Sequence, residues 1–442
     1  MRNMLRCRRG SVAFATVIAL VPLIGVVALG AEAGSWYVTK QHAQTAADAA
    51  AFSGGLTLAC SISGSSNCDT AQDYVYRGKE FAAQNKFCNT GDTVFTCASS
   101  LAADTTQTVL IDQGAYDAVT GAWTSSTSGT FVRASVSQHQ PAYLAAVLGL
   151  STVDIGAQAI VQIQNPKNLC GLGLNSSGTS LTIGGSSIIT GTGCALMSDS
   201  AVKYNSTPTF VGSDWAVDAV AGCKASSGHC TISVPYNYNM LPVVNPLKVL
   251  DTETFNSRTG NTPPPQGSDP RCNSKGKCYL LTPNSSAGAY KDITVNNNDT
   301  LIFTASGTYF FYNASIKINS GTVIGTGVTL VLLGTSSLSI GSGATVNLSA
   351  PATNTFSSDL NGVLIDDQSS AAVSITGGGT VALSGAMYFP KADVTYGGTV
   401  QGASTCAEVI ANTLTINGNV YLSSTGCGSN TITSTQIVAL VH

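Results

Sequence analysis

The sequence predicts a mainly β protein: a right-handed parallel β-helix, or solenoid, that follows one N-terminal transmembrane helix and a small α+β segment. Three observations predict this fold: an uncharged apolar run near the N-terminus, a mixed helix-and-strand segment after it, and short strand-like repeats that fill the second half. Charged residues make up only 10% of the 442 residues, and the net charge is −3. Because basic residues cluster only within residues 1–9, the composition argues against nucleic acid as a partner.

The apolar run at residues 11–31 is long enough to cross a bilayer. A helix of this length spans roughly 31 Å at about 1.5 Å per residue, which matches a hydrocarbon core of about 30 Å. The run is preceded by Arg2, Arg6, Arg8 and Arg9. Since positive charge marks the cytoplasmic flank, these arginines predict a cytoplasmic N-terminus, with the rest of the chain across the membrane.

A cleaved signal peptide is the alternative interpretation of the same run. Residues 31–33 read Ala-Glu-Ala, which is the small-x-small pattern of a cleavage site. The run is, however, longer than the roughly 7–15 residues of a typical signal-peptide apolar region. We therefore expect a retained anchor.

The cysteines also indicate an oxidising exterior. Of the 13 cysteines, Cys7 alone precedes the apolar run, which leaves an even number beyond it. We expect local disulfides between neighbours along the chain: Cys60/Cys68, Cys88/Cys97, Cys170/Cys194, Cys223/Cys230, Cys272/Cys278 and Cys406/Cys427. Spacing alone does not determine connectivity, so buried free thiols are the alternative for some of them. Zinc is not predicted, because there is no C-x-x-C motif and the four histidines are scattered.

Residues 35–51 predict a helix that continues outward from the apolar run. Trp36 and Tyr37 suit the membrane interface, where amphipathic rings settle. The alanines of this helix form a small-residue stripe, made of Ala43, Ala46, Ala47 and Ala50. Such a stripe permits the close approach of another backbone, so it is a candidate surface for a partner helix. The alternative is a stalk helix in which alanine serves only as a good helix former.

Residues 8–55 also carry a specific set of motifs. These are Arg9-Gly10-Ser11, an inner proline at Pro22, the acidic Glu32, Trp36-Tyr37, and the stretch QTAADAAAFSGG at residues 44–55. The segment resembles the N-terminal anchor of TadG-like proteins of the Tad/Flp pilus-assembly system, in which an alanine-aspartate core follows the apolar helix. The chain departs from that pattern at Ala43, where Leu is commoner, and at Glu32, where Asp is commoner.

The resemblance implies a single-pass protein of the bacterial inner membrane, with a cytoplasmic N-terminus and most of the chain periplasmic or extracellular. It implies a structural or interaction role in pilus assembly or surface attachment. The expected partners are the inner membrane and other Tad/Flp pilus components or envelope proteins, reached through the alanine-rich helix, and surface glycans are a further candidate contact. Residues 306–334 and 361–398 also look like the β-helical region of many TadG-like envelope proteins.

Three parts are expected along the chain: the anchor at residues 1–55, a small α+β domain at 56–165 and the β-helix at 166–442. The middle part predicts helices at 69–84 and 141–150 and strands at 108–112, 130–138 and 152–164. The last part repeats Ile, Val and Leu in alternation between Gly, Ser and Asn, as stacked turns of a β-helix require.

Two alternatives stay open for the last part. A β-sandwich would share the alternation, but it would show more hairpin dipeptides than the Asn-Gly pairs at residues 361–362 and 417–418. The Pro-rich residues 261–270 predict an extended loop that leaves the β-helix and is pinned by Cys272 and Cys278. A linker between domains is the alternative for this loop.

An enzymatic function has one candidate pair, Asp366-Asp367, with Asp359 and Asp393 nearby in the sequence. Glycoside hydrolysis needs two carboxylates at a set separation, but adjacent residues of a strand point to opposite faces. The sequence also lacks the G-x-S-x-G motif of a nucleophilic serine. We therefore predict no enzyme and no catalytic, cofactor-binding or metal-binding residues; the alternatives are a β-helical polysaccharide-degrading enzyme and a surface adhesin unrelated to pili.

Overall fold

The computed structural model describes residues 8–63, 71–97, 101–191, 194–224, 230, 232–238, 240, 242–284, 288–378, 380–398 and 406–441. The chain forms two compact units, one of residues 1–165 with 436–442 and the other of residues 166–435. The sequence pattern predicts that residues 436–442 belong to the β-helix. They belong instead with the first unit, because the last strand pairs with that unit's sheet.

The described elements follow one another in this order. The helices are α1 Arg8–Ser63 and α2 Tyr74–Gln84, and 3₁₀ turns lie at Ala145–Leu148, Lys248–Thr252, Thr254–Ser257 and Ser358–Leu360. The earlier strands are β1 Thr106–Asp117, β2 Ala122–Ser125, β3 Phe131–Pro141, β4 Thr152–Gly173, β5 Thr179–Thr190, β6 Ala195–Ser198, β7 Ala201–Tyr204, β8 Thr209–Val211, β9 Ala216–Ala219 and β10 Tyr236–Tyr238. The later strands are β11 Cys278–Leu281, β12 Ile293–Val295, β13 Thr300–Phe303, β14 Gly307–Tyr312, β15 Ser315–Thr326, β16 Val328–Leu333, β17 Ser337–Ser349, β18 Val363–Asp367, β19 Val373–Thr376, β20 Thr380–Gly397, β21 Ala407–Tyr421 and β22 Ser434–Leu440.

Helix α1 combines the predicted span and the alanine-rich helix in one element. It continues through Pro22, which membrane helices tolerate, and its stretch Ala15–Ser61 is long and apolar enough to cross a membrane. Large apolar side chains are exposed along its first half: Val17, Ile18, Leu20, Leu23, Ile24, Val26 and Val27. This uncovered apolar surface is consistent with a single-pass anchor.

Two predicted helices of the first unit differ in the structure. Helix α2 begins at Tyr74, later than the predicted residue 69, because the Asp73 side chain caps it and accepts a hydrogen bond from the Tyr76 backbone N–H at 2.7 Å. The predicted helix at residues 141–150 is instead one 3₁₀ turn. It ends at Gly149, whose φ of 89° lies in the left-handed region that favours glycine.

The first unit holds one mostly antiparallel sheet, ordered β2-β1-β3-β4-β22. One side of the sheet is apolar, as the alternating burial along β1 and β3 shows. Helices α1 and α2 cover that side and share one core with it. The buried sheet residues of this core include Val109, Ile111, Val132, Ala134, Val136, Ala157, Ala159 and Val161.

The second unit is a β-solenoid of about 10 turns, which confirms the mainly β class; its right-handedness stays a prediction. Its strands stack in parallel as three ladders, named here the first, second and third faces. The first face runs through β14, β16, β18, β20, β21, β4, β6, β9 and β10. The second runs through β12, β15, β17, β19, β20, β21, β5 and β7. The third contains β11, β13, β15, β17 and β20, and then β21, β5 and β8.

The turns of the solenoid do not stack in the order of the chain. Strand β4, which enters the solenoid first, lies between β21 and β6. The turns of residues 278–421 therefore precede those of residues 169–238 along the axis. Between β10 and β11 the chain must consequently travel back along the whole stack, from one end of the solenoid to the other.

Residues 242–262, named here the return segment, run along the stack across the outer side of the first face. At its start the Val243 backbone N–H donates to Asp199 Oδ1 at 2.9 Å. Near its end the guanidinium of Arg258 lies 4.1 Å from the centroid of the Phe310 ring. Because Asp199 follows β6, two strands from one end of the first face, and Phe310 lies in β14 at the other end, these contacts span most of the stack.

The return segment buries the outer side of the first face. Leu247, Leu250 and Phe255 pack in one cluster with outward side chains of the ladder: Leu172, Met197, Ala216, Phe310, Val331, Val363, Tyr388 and Ile410. This cover explains why every residue of β16 and β18 is buried, whereas an uncovered strand would alternate.

The Pro-rich residues 261–270 lie at the far end of the stack. The Leu280 N–H donates to the Pro265 carbonyl at 3.0 Å, and the Gly267 N–H donates to the Cys278 carbonyl at 3.0 Å. The loop thus pairs with β11, the first strand of the third face. Since proline lacks an N–H, such a segment limits further strand pairing at this edge. It packs on the solenoid rather than linking two domains, so the linker alternative is wrong.

Five of the predicted cysteine pairs form disulfides. They are Cys88–Cys97, Cys170–Cys194, Cys223–Cys230, Cys272–Cys278 and Cys406–Cys427. The sixth predicted pair includes Cys68, which lies outside the described residues, as does Cys7. Each of these five disulfides joins two cysteines that follow one another in the order of cysteines along the chain, so each closes a short local loop.

Candidate functional surfaces

The alanine stripe of α1 is filled by the protein's own sheet. Ala43, Ala46, Ala47 and Ala50 are completely buried, and they pack with β1, β3, β4 and α2. The sequence pattern makes this stripe a candidate surface for a partner helix, and its burial within the first unit corrects that prediction. Small residues do allow a close approach here, but the approaching backbone belongs to the same chain.

Three glycines complete this close packing. A Cβ at Gly55 would lie 2.5 Å from Val161 Cγ2, and a Cβ at Gly78 would lie 2.9 Å from Ile111 Cγ1. A Cβ at Gly54 would likewise lie 3.3 Å from Val132 Cγ1. The Gly-Gly after the alanines and the glycine inside α2 are therefore packing positions, where any larger residue would push the helices away from the sheet.

The second face of the solenoid carries an uncovered polar row. The strand register aligns Thr294, Lys317, Ser339, Ser374, Thr395, Thr415, Thr182 and Lys203 in one line across the ladder. None of these residues is buried, whereas their sequence neighbours Leu338, Ile340 and Leu414 point into the core. At about 4.8 Å between strands, the hydroxyl row forms a flat, regularly spaced surface of low charge with a lysine near each end.

The candidate pair Asp366-Asp367 does not form an accessible site. Asp366 aligns with Val331 on the outer side of the first face, and Asp367 aligns with Leu332 on the inner side. Both carboxylates are buried. Burial raises the pKa of Asp366 to about 8 and that of Asp367 to about 7. The two groups therefore lie enclosed on opposite sides of the strand and offer no shared opening to a polymer.

Polar neighbours beneath the return segment hold Asp366 in place. Gln368 Nε2 donates to Asp366 Oδ1 at 2.7 Å, and Lys391 Nζ donates to Gln368 Oε1 at 3.4 Å. The Tyr388 hydroxyl, one strand away, donates to Asp251 Oδ1 of the return segment at 2.8 Å. The bond between Tyr388 and Asp251 fastens the return segment to the ladder, while the other two bonds lie within the ladder.

The other two aspartates are also apart from the pair. Asp393 accepts hydrogen bonds from Asn412 Nδ2 at 3.2 Å and from Thr413 Oγ1 at 2.7 Å, between two adjacent strands of the second face. Asp359 lies beside Glu253 of the return segment. The pKa of Glu253 is raised, first by burial and then by the neighbouring Asp359 carboxyl. The four aspartates that are close in sequence therefore do not converge on one accessible site.

A further buried carboxyl lies beside the Cys406–Cys427 disulfide. Glu408 is fully buried, and one of its carboxylate oxygens and the two sulfurs lie within 4.8 Å of one another. Burial raises the pKa of this carboxyl well above its usual range. Because both sulfurs belong to a disulfide, the group offers no thiolate to a metal ion.

Sequence reasoning missed the return segment and the hydroxyl row. The signal for the first was present: VTLVLL and VLIDD are apolar at nearly every position, which indicates strands covered on both sides. The row carried no comparable signal, because it is assembled from turns that come from both halves of the chain.

Comparison with known proteins adds one finding, at the N-terminus. No curated protein and no solved structure matches the chain. A family model described as putative Flp pilus-assembly TadE/G-like matches residues 10–59, which contain the apolar span, Glu32 and the buried alanine stripe. The N-terminal helix is therefore similar to the Tad domain of Flp pilus-assembly TadE/G-like proteins over residues 10–59, and a β-solenoid follows it along the chain.

Proposed function

We propose that this protein is a membrane-anchored cell-envelope component that serves Tad/Flp pilus assembly or surface attachment by structural contact. The observation that carries the proposal is the position of the TadE/G-like segment at residues 10–59. That segment supplies both the apolar span and the alanines that fill the core of the first unit. One continuous helix thus joins the anchor to a folded domain, so a load on that domain is carried into the membrane.

The proposed topology has the N-terminus in the cytoplasm, one pass through the bacterial inner membrane, and the remaining chain periplasmic or extracellular. The arginines before residue 11 support this orientation, because positive charge favours the cytoplasmic side. The disulfides beyond the span support it as well, since they form and persist in oxidising compartments.

Other pilus or envelope components are the proposed partners, with surface glycans as a further candidate. The alanine stripe is filled, so we place the contact on the hydroxyl row of the second face. Its serines and threonines offer both donors and acceptors at regular spacing, and Lys317 and Lys203 add charge near its ends. A polar polymer or an extended backbone fits such a row.

A structural role rather than catalysis is part of the proposal. It is supported by the burial of Asp366 and Asp367, which leaves this carboxylate pair without access to a glycosidic bond. Purified protein should release no reducing ends from pectin-like or glucan substrates. Hydrolysis that disappears in Asp366→Ala or Asp367→Ala would favour the polysaccharide-degrading alternative.

Deletion of the gene, followed by counts of surface pili and of attached cells, tests the proposal. We expect fewer pili and restoration by the parent chain. The double variant Ser374→Arg/Thr415→Arg, which crowds the hydroxyl row, should fail to restore them. Asn347→Arg, on an exposed position of the third face, is the matched control and should restore them. Normal pili with lost attachment would indicate an adhesin unrelated to pili.

A further inference from the structure

Glu32 fastens a distant loop to α1 at the point where the helix leaves the apolar run. Its carboxylate accepts three backbone hydrogen bonds, from the N–H groups of Tyr143 at 2.6 Å, Leu144 at 3.0 Å and Ala145 at 2.8 Å. Glu32 is the first charged residue after residues 11–31. The loop between β3 and β4 is therefore held at the depth at which the helix emerges from the hydrocarbon.

The fastened loop carries no charge and turns apolar side chains outward. Residues 142–150 read AYLAAVLGL. Tyr143 is 67% exposed, Leu144 41% and Leu150 45%. A cluster of large exposed apolar groups on one loop is unusual unless something covers it.

Helix α1 adds aromatic and aliphatic groups just above the same level. Tyr37 and Val38 are exposed, and Trp36 is half-buried. At about 1.5 Å per residue they lie roughly 6–9 Å beyond Glu32 along the helix axis. This is the zone of headgroups, where tryptophan and tyrosine concentrate in membrane proteins.

We propose that the loop of residues 142–150 docks on the lipid surface of the membrane that residues 11–31 cross, with Tyr143 and Leu144 at the boundary between headgroups and acyl chains. The inference rests on the proposed anchoring, because the level of Glu32 is a membrane depth only if the apolar run spans the bilayer. Lipid is the occupant that the geometry favours, since the hydrogen bonds to Glu32 hold the loop beside the end of the span. Glu32 is a positioning residue in this arrangement.

Depth measurements on the full-length protein in vesicles of phosphatidylethanolamine and phosphatidylglycerol test this proposal. A nitroxide-bearing amino acid, introduced by codon reassignment so that the cysteines stay intact, reports collisions with oxygen, which enriches in lipid, and with a water-soluble nickel chelate. The label replaces Ile24 in the span, Tyr143 in the loop, or Val119. Val119 is the control, because it is 95% exposed in the hairpin turn at the opposite end of β1.

We expect oxygen to dominate at position 24, a mixed interfacial value at position 143, and the nickel chelate to dominate at position 119. Lipid exposure at position 24 with full water exposure at position 143 would overturn the docking and leave the anchor intact. Water exposure at position 24 would overturn the anchoring itself. Shielding of position 143 from both reagents would indicate a protein partner and would also overturn the lipid proposal.

Substitution of Glu32 tests the fastening separately. In Glu32→Gln the loop loses the carboxylate that accepts its N–H groups, and the oxygen-to-nickel ratio at position 143 should fall severalfold, while Glu32→Asp should recover part of it. Glu80→Gln, which removes the half-buried Arg77–Glu80 ion pair on α2, is the matched control and should change nothing at position 143. An unchanged ratio in Glu32→Gln would show that Glu32 does not position the loop.

Discussion

The first and second faces of the solenoid are built from the same turns but have opposite outer surfaces. Strands β16 and β18 of the first face are buried on both sides, because the return segment covers them. Strands of the second face alternate Ile, Leu or Val with Ser, Thr or Lys, because their outer side meets water. The difference shows that the outward residues of a solenoid report what covers each face, while the inward residues are alike on both.

The largest expected effect comes from uncovering the first face. Phe255→Ala removes a buried ring that packs edge-on against Phe310 and Phe356 at centroid distances of 5.9 and 5.6 Å. We expect the free energy of unfolding to fall by about 3–5 kcal/mol, because a cavity opens beneath the return segment. Chemical denaturation of the parent and variant measures this loss. A change below about 1 kcal/mol would show that the return segment does not stabilise the stack.

The next largest effect on stability is expected from Asp366, a buried carboxyl on the first face. The folded-state pKa of Asp366 is about 8, above the value of about 3.9 in an unfolded chain, so folding favours the protonated acid. Its contribution to stability is therefore complete below about pH 4 and is lost as the pH rises through about 8. Asp366→Asn should stabilise the protein relative to the parent by about 2–4 kcal/mol at pH 8 and far less at pH 4.

Denaturation of both proteins across this pH range measures the difference. Thr415→Val, which changes no ionisable group, is the control and should give a nearly constant difference. A constant difference in Asp366→Asn as well would contradict the assigned titration.

The first unit extends the comparison, because its sheet is also covered on one side. Ala47→Leu should lower the free energy of unfolding by about 1–3 kcal/mol, since the added atoms have no room between α1 and the sheet. Thr45→Leu, on the exposed side of the same helix, is the control and should cost much less. Thermal unfolding in detergent compares the two. Equal losses would mean that α1 is not seated on the sheet through its alanines.

The smallest effect is expected on the uncovered face. Thr415→Val keeps the shape of the side chain and removes one hydroxyl from the row, so stability should change by less than about 0.5 kcal/mol. Surface attachment should nevertheless weaken if the row is the contact. Attached-cell counts, made beside the unfolding measurements, separate the two readouts. A large loss of stability would show that the hydroxyls support the ladder rather than a partner.

Much of the architecture was predictable because it depends on local pattern. The helix that is long and apolar enough to cross a membrane followed from the length of the apolar run, the solenoid from alternating Ile, Val and Leu between glycines, and the disulfides from cysteines close in sequence. The partner surface was not predictable in the same way. The alanine stripe has the composition of a docking surface, but composition does not say whether the approaching backbone comes from another chain or from this one.

By itself, the sequence establishes the elements that arise from neighbouring residues: one apolar helix long enough for a bilayer, a mixed α+β segment, and turns with inward apolar side chains. Only the tertiary structure reveals that β4 lies beside β21, that residues 242–262 cover the first face, and that Glu32 holds the loop at Tyr143. The physical reason is separation along the chain. Periodicity and capping act over a few residues, whereas these contacts join residues far apart in sequence, whose meeting depends on how the whole chain packs.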